Sequence, residues 1–388
     1  MLLRRVFSAA TACAILCAGF TACSSQKYPE GSVEYAYDPE APSLYEEFAD
    51  YFDVGSAINP WDLTEGTNEY EIITNQFNIY TYENDSKPDH MHPSEDVYNF
   101  ENTDKLVEFA EQNGKKVRGH TLIWHSQCPD WFFYDENGND ASADLLVERI
   151  KEHVTTIVSH YKGKIDTWDV VNEVLDDGYG LRFSDWLRLV GDYDGDGDDY
   201  DFIEIAFRAA READPDARLI INDYSLESNT NKAITMYNMV KAMLEEGVPV
   251  DGIGLQMHVG YDTDVQLVRD NMEILAGLKE INPDFVLEVT ELDMNCYTWG
   301  NEDIEVDLTD EFVEQFDNTY KELFNIFLDY AEEGILKTVV FWGYNDGASW
   351  LNGSPAGRVN HPLLIDRDLK FKSAYWAVIN TPSEREAQ

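Results

Sequence analysis

A chain of 388 residues that is 44% hydrophobic and 13% aromatic can bury a large core within one domain, which excludes an intrinsically disordered body. Its formal charge of −47 repels polyanions over most of the surface. Nucleic acid and anionic lipid are thereby excluded as partners, leaving neutral or cationic ones.

In chain order, residues 1–23 read as an export signal, with Arg4-Arg5 followed by the apolar run VFSAATACAILCAGF, too short for a comfortable membrane span. Cys23 follows FTA and precedes the polar SSQK, similar to a bacterial lipobox, with Phe20 where Leu, Val or Ile is usual. Lipidation of Cys23 would leave an exported, cell-surface or periplasmic protein tethered without a spanning helix; ordinary signal-peptidase cleavage would instead leave a secreted protein, and no cleavage an N-terminal anchor. Residues 24–43, with Pro29, Pro39 and Pro42, read as a linker, residues 44–381 as one catalytic domain and residues 382–388 as a tail. Cys128 and Cys296 remain beyond the signal and lack both a disulfide framework and the CxxC spacing of structural zinc.

From residue 44 onward, β-rich runs alternate with amphipathic ones. Strands are expected at 52–58, 75–81, 116–124, 165–171, 217–223, 251–258, 285–291 and 338–344, with helices such as 103–114, 145–161, 203–215 and 312–334 between them. Gly114, Gly247 and Gly334 stand where helices end. Eight strand–helix units of this kind predict an α/β fold, a single (β/α)8 TIM barrel with its site at the carboxyl ends of the strands. A doubly wound sheet would show a Gly-rich phosphate loop after its first strand, and none follows FDVGSAINPWDL.

The strand ends carry the chemistry: Glu83, Asn84 and Lys87 after the second; His120, Trp124, His125 and Gln127 at the third; Asn172 and Glu173 at the fourth. The fifth gives Asn222 and Tyr224, the sixth Gln256 and His258, the seventh Glu291 and Asp293, and the eighth Trp342 and Trp350. One such residue alone is more often a cap, a turn or core. Convergence of acids, amides and indoles from seven strands suits a neutral carbohydrate, with aromatic faces for C–H surfaces and amides for hydroxyl pairs. Glu173 and Glu291, three units apart on one rim, form the carboxyl pair that glycosidic hydrolysis requires. Regular alternation would point Gln256 and His258 the same way, and likewise Glu291 and Asp293.

The segments VRGHTLIWHSQCPDWF, WDVVNEVLDD, IINDYS, GIGLQMH, LEVTELDM, FWGYNDGASWL and HPLLIDRDLKFKSAYWAVI together resemble, in collinear order over residues 44–381, glycoside hydrolase family 10, the endo-1,4-β-xylanase family. The resemblance implies retaining double displacement on xylan, with Glu291 as nucleophile and Glu173 as acid/base, their carboxyl groups about 5–5.5 Å apart. It implies a resting state with Glu173 neutral and Glu291 ionised. His258, oriented by Asp293, would bond the nucleophile, and Asn172 would hold a sugar 2-hydroxyl. His120, Trp124, Gln256, Trp342 and Trp350 would line the sugar pocket at the break, and Glu83, Asn84 and Lys87 the next pocket on the non-reducing side. Gln127, Asn222 and Tyr224 complete the expected substrate-binding set. Asp85-Ser86 and Ser225 depart from the family pattern without touching the paired acids.

No cofactor or metal is expected, and xylan or xylo-oligosaccharide bound by a monomer is the expected partner. The segment DYDGDGDDYD, residues 192–201, imitates the start of an EF-hand, yet its twelfth position is Ile203 instead of Glu, so it reads as a solvated acidic loop. Two other functions fit the same cleft: an endo-acting glucanase or transglycosylase on a related β-glycan, or a glycan-capturing lipoprotein without catalysis.

Overall fold

The structure is a computed structural model that describes residues 40–297, 306–353 and 357–387. Cys23, the signal and most of the linker lie outside the described residues. Nine strand segments occur in it: β1 (Asp53–Ile58), β2 (Ile79–Tyr82), β3 (Lys116–Trp124), β4 (Thr167–Asn172), β5 (Arg218–Asp223), β6 (Gly252–Leu255), β7 (His258–Gly260), β8 (Val286–Asn295) and β9 (Leu336–Phe341). All pair in parallel in the order β6-β5-β4-β3-β2-β1-β9-β8, and a further β6–β8 pairing closes the ring. β7 continues the course of β6 against the end of β8, giving an eight-stave (β/α)8 barrel.

The break between β6 and β7 corrects the expectation of one regular strand over 251–258. Met257 takes a left-handed backbone (φ 63°), which ends the pleat after Gln256 and restarts it at His258. The second strand also begins later than expected, because Asn75 and Gln76 close the helix Asn68–Gln76. The four helices taken from the sequence begin at residues 101, 143, 201 and 310, each two residues early. The two added residues include an acid in every case (Glu101, Asp144, Asp201 and Asp310), which an apolar period does not register. Ser142 and Thr309 cap two of them, accepting the Leu145 and Phe312 amides at 3.2 Å each. Gly114 (φ 64°), Gly247 (φ 74°) and Gly334 (φ 72°) lie beyond helices in left-handed conformations that only glycine adopts readily. The expected tail includes a helix, Thr381–Glu386, joined to Asp310–Glu332 through Arg385–Asp329 (2.8 Å) and Lys321–Glu384 (2.5 Å).

Inside the ring the filling is partly ionic. Arg118 on β3 donates to Asp169 on β4 and to Glu288 on β8 (3.1 Å), and Arg218 on β5 donates to Glu288 (2.7 Å). Because β3 and β8 are not neighbours in the ring, the Arg118–Glu288 contact crosses the barrel interior. Arg118, Asp169 and Glu288 are fully buried, so each charge relies on the others for its missing water. Outside the ring, Trp168 packs where Gly119 has no side chain: a Cβ there would sit 2.1 Å from the indole.

Candidate active site

A row of residues in register crosses the carboxyl ends of four strands: Trp124 on β3 beside Asn172 on β4, beside Asn222 on β5, beside Gly254 on β6. Register shifts in β3, β4 and β8 lie just before or among these ends, where bulges commonly re-aim side chains. Glu173, the next residue after β4, has φ 57°, a conformation that disfavours any residue with a Cβ by about 1–2 kcal/mol. It is pinned on both sides: its amide donates to the Asn222 carbonyl (2.8 Å) and its carbonyl accepts from Arg182 Nε (2.8 Å). The left-handed residue stops the strand and turns the carboxyl group into the cleft.

Three amides join the two acids. Gln256 Nε2 donates to Glu173 Oε1 (3.2 Å) and to Asn172 Oδ1 (3.3 Å). Asn222 Nδ2 donates to the same Asn172 oxygen (2.9 Å) and to Glu291 Oε1 (2.9 Å). Each NH2 group thus spends one proton on a carboxyl oxygen of Glu173 or Glu291 and one on the shared carbonyl, which fixes the orientation of all three amides. Thr290 Oγ1 donates to Asn222 Oδ1 (2.7 Å). Asn222 is fully buried with its amide satisfied inside the protein, so it stands behind the carboxylates; its expected place among sugar-contacting residues is corrected accordingly.

On the other side of Glu291, His258 Nε2 approaches Oε2 (3.2 Å) while Nδ1 faces Asp293 Oδ1 (2.9 Å). Both ring nitrogens meet carboxylate oxygens, so both donate and the imidazole is charged. Burial opposes that charge, but Asp293 and then Glu291 raise the His258 pKa well above its ordinary 6.5. For Glu291 burial works upward, and the His258 hydrogen bond, the His120 and His258 charges and Asn222 overcome it, bringing the carboxyl down to about 2. Trp350 Nε1 donates to Asp293 Oδ2 (2.7 Å) and fills that acid's other oxygen. Trp342 stands edge-on to His120 with ring centres 5.3 Å apart, and His120 Nδ1 is 2.8 Å from Asp169 Oδ2. The ionic core of the barrel therefore reaches directly up to the cleft floor.

A second group sits over β1 to β3. Lys87 Nζ donates to Gln127 Oε1 (2.8 Å) and Asn84 Oδ1 (3.1 Å), and Gln127 Nε2 donates to Asn84 Oδ1 (3.2 Å). The same ammonium lies 4.9 Å from the Trp124 ring centre. Burial lowers the Lys87 pKa against the pull of Glu291 and Glu83, and burial raises that of Glu83, whose Oε2 accepts from Asn59 Nδ2 (3.2 Å). Tyr224, on the far side, donates to Asp177 (2.6 Å) and accepts from Arg182 (2.8 Å). His125 Nε2 is 4.0 Å from Glu173 Oε2, and burial, then Arg182, keep its pKa low.

Several residues escaped sequence reasoning. Asp169, Arg118 and Glu288 lie within strand runs whose alternation says only that they face inward. Arg182, nine residues beyond Glu173, belongs to a loop with no motif of its own. Trp61 and Phe183 are 70% and 78% exposed, in the segments that follow β1 and β4. Their aromatic type beside a strand end was the available signal.

The Glycosyl hydrolase family 10 profile matches residues 43–381. The chain is 44% identical over 353 residues to Endo-1,4-beta-xylanase C of Paenibacillus barcinonensis, covering 89% of this chain and about a third (32%) of that protein's length. A GH10 structure from Paenibacillus barcinonensis superposes with a TM-score of 0.85 at 44% identity, covering 89% of this chain and 98% of that one. A xylanase of Thermoanaerobacterium saccharolyticum, solved as a mutant with xylotriose, gives a TM-score of 0.78 at 39% identity over 88% of this chain and 99% of the other. With the match running from before β1 to the last turn of the barrel, the chain belongs to glycosyl hydrolase family 10.

Proposed function

We propose that this protein is a retaining endo-1,4-β-xylanase, acting as a monomer. The observation that carries the reading is the joining of Glu173 to Glu291 through Gln256, Asn172 and Asn222. Glu291, held ionised by His258 and Asn222, attacks the anomeric carbon. Glu173, at the opposite end of the amide chain, gives a proton to the leaving oxygen. The covalent glycosyl-enzyme is released when Glu173 takes a proton from water and the resulting hydroxide adds to the same carbon from the vacated face. Asn172, whose carbonyl is engaged by both neighbouring amides, leans one N–H toward Glu173 Oε1 (3.5 Å) and has the other for a sugar hydroxyl. Lys87, Asn84 and Glu83 bind the sugar on the non-reducing side, His120, Trp124, Gln256, Trp342 and Trp350 surround the reacting one, and Gln127 orients Lys87. Tyr224, Trp61 and Phe183 supply aromatic faces farther out along a polymeric substrate.

The enzyme is exported and tethered by a lipid on Cys23; the Arg4-Arg5 and FTAC pattern supports this. Replacement of Cys23 by Ser should move the protein from the membrane fraction to the soluble one. Retention in the membrane would reject the lipid anchor.

Reducing-sugar release from xylan and from cellulose oligosaccharides, by wild type and by Glu291→Ala, tests the activity. Rapid turnover of xylan, slow turnover of cello-oligosaccharides and loss of at least about 10⁴-fold in the variant are expected. Preference for the glucan assigns another substrate, tight binding of xylan without turnover assigns a capture protein, and full activity in the variant refutes the mechanism.

A further inference from the structure

Just beyond β4 the chain folds into a tight hairpin. Leu175 bridges Leu181 in antiparallel fashion, the Asp176 amide donates to the Gly180 carbonyl (2.9 Å), and Asp176 Oδ1 accepts the amides of Gly178 (2.8 Å) and Gly180 (3.1 Å). The hairpin brings Arg182 back beside Glu173, and there one residue takes three successive carbonyls. Its backbone amide donates to Val174 (2.7 Å), Nε to Glu173 (2.8 Å) and Nη2 to Leu175 (2.9 Å). β4 has ended at Asn172, so the guanidinium fork supplies partners that a continuing sheet would otherwise give.

The same stretch is held from the other side by β5. The Glu173 amide donates to the Asn222 carbonyl (2.8 Å) and the Leu175 amide to Asp223 Oδ2 (3.0 Å). Asp223 is fully buried and ion-paired with Lys232 (2.9 Å), which makes it a fixed acceptor. Arg182 is located in turn by Tyr224, whose hydroxyl accepts from Nη2 (2.8 Å) and donates to Asp177 of the hairpin (2.6 Å). The Glu173 carboxyl group has only long contacts, with Gln256 at 3.2 Å, Asn172 at 3.5 Å and His125 at 4.0 Å. Its place is therefore set by the backbone beneath it, which is left-handed at φ 57°. Glu291 takes its own hydrogen bonds from Asn222 and His258.

We propose that Arg182 is a positioning residue for the acid/base: by tying the carbonyls of residues 173–175 it holds Glu173 within reach of the leaving oxygen, while Glu291 is placed independently. The inference rests on the roles given above to Glu173 and Glu291. Its signature is a dependence on the leaving group. A sugar alkoxide leaves only when protonated, whereas dinitrophenolate leaves without a proton.

The test is kcat/KM of wild type, Arg182→Ala, Arg182→Lys and Glu173→Ala on xylohexaose and on dinitrophenyl β-xylobioside. Arg182→Ala should lose about 100-fold on xylohexaose, as a displacement of roughly 1 Å would cause, and less than about threefold on the aryl substrate. Arg182→Lys keeps the backbone amide and the charge without the fork, so its loss on xylohexaose should be about tenfold. Equal losses on both substrates would mean general damage to the cleft, and no loss on either would mean that Glu173 is placed without Arg182; each overturns the proposal. If Arg182→Ala fails to fold, the split in Arg182→Lys decides. Glu173→Ala should show the same split more deeply. Its absence there removes the acid/base assignment and this inference with it, while a split in Glu173→Ala with none in the Arg182 variants removes this inference alone.

Discussion

Glu291 shows how a buried carboxylate is kept charged by its neighbours. Its pKa, lowered from 4.5 to about 2, means that the native state holds this proton less tightly than the unfolded chain. The stabilisation is fully present above pH 4.5 and is lost as pH falls through about 2, an effect on the order of 3 kcal/mol. Chemical denaturation of wild type and Glu291→Gln across that window should show the steeper decline in the wild type; parallel curves would contradict it. His258 has the opposite sign. Its raised pKa adds stability that is complete below 6.5 and disappears as pH rises through the folded value. Asp293→Asn removes the larger carboxylate influence on His258, so the alkaline limb of kcat/KM should move to lower pH and kcat should fall about 10–100-fold. An unmoved limb would detach His258 from catalysis.

At the level of elements, what the sequence disclosed followed from what its periodicities encode. Every barrel strand was legible because buried parallel strands are nearly continuous apolar runs, and the paired acids were legible because they interrupt such runs. The backbone irregularities were not. Met257 and Glu173 adopt left-handed conformations without being glycine, and no local preference announces that; the cleft geometry around them is imposed by the surrounding strands. The role of Asn222 was hidden for a related reason. Its carboxamide occupies space left by Gly254, where a Cβ would stand 2.3 Å from Asn222 Oδ1, and only the β5–β6 register brings the two together. Gly254→Ala should therefore push Asn222 away from Glu291 and lower kcat by about 100-fold, KM changing little. A variant with wild-type kcat would show that the amide chain does not position the nucleophile.

Over the whole molecule, charge acts in two ways. Inside the barrel, Arg118, Asp169 and Glu288 are buried and mutually dependent, so Asp169→Asn should destabilise the fold by about 3–5 kcal/mol by stranding Arg118, seen as a lower denaturation midpoint at an unchanged slope. Outside, a net charge of −47 strains the compact state through self-repulsion. The melting temperature should rise between roughly 0.01 M and 1 M sodium chloride, as the screening length falls from about 30 to about 3 Å; a flat response would mean that the acids are already compensated. The central claim is that two acids bound into one amide chain perform double displacement on xylan. Proton NMR of xylohexaose during the first minutes of hydrolysis tests it most directly: the account predicts internal cleavage with the β-anomer appearing first and relaxing later to the equilibrium mixture, whereas initial formation of the α-anomer would contradict it.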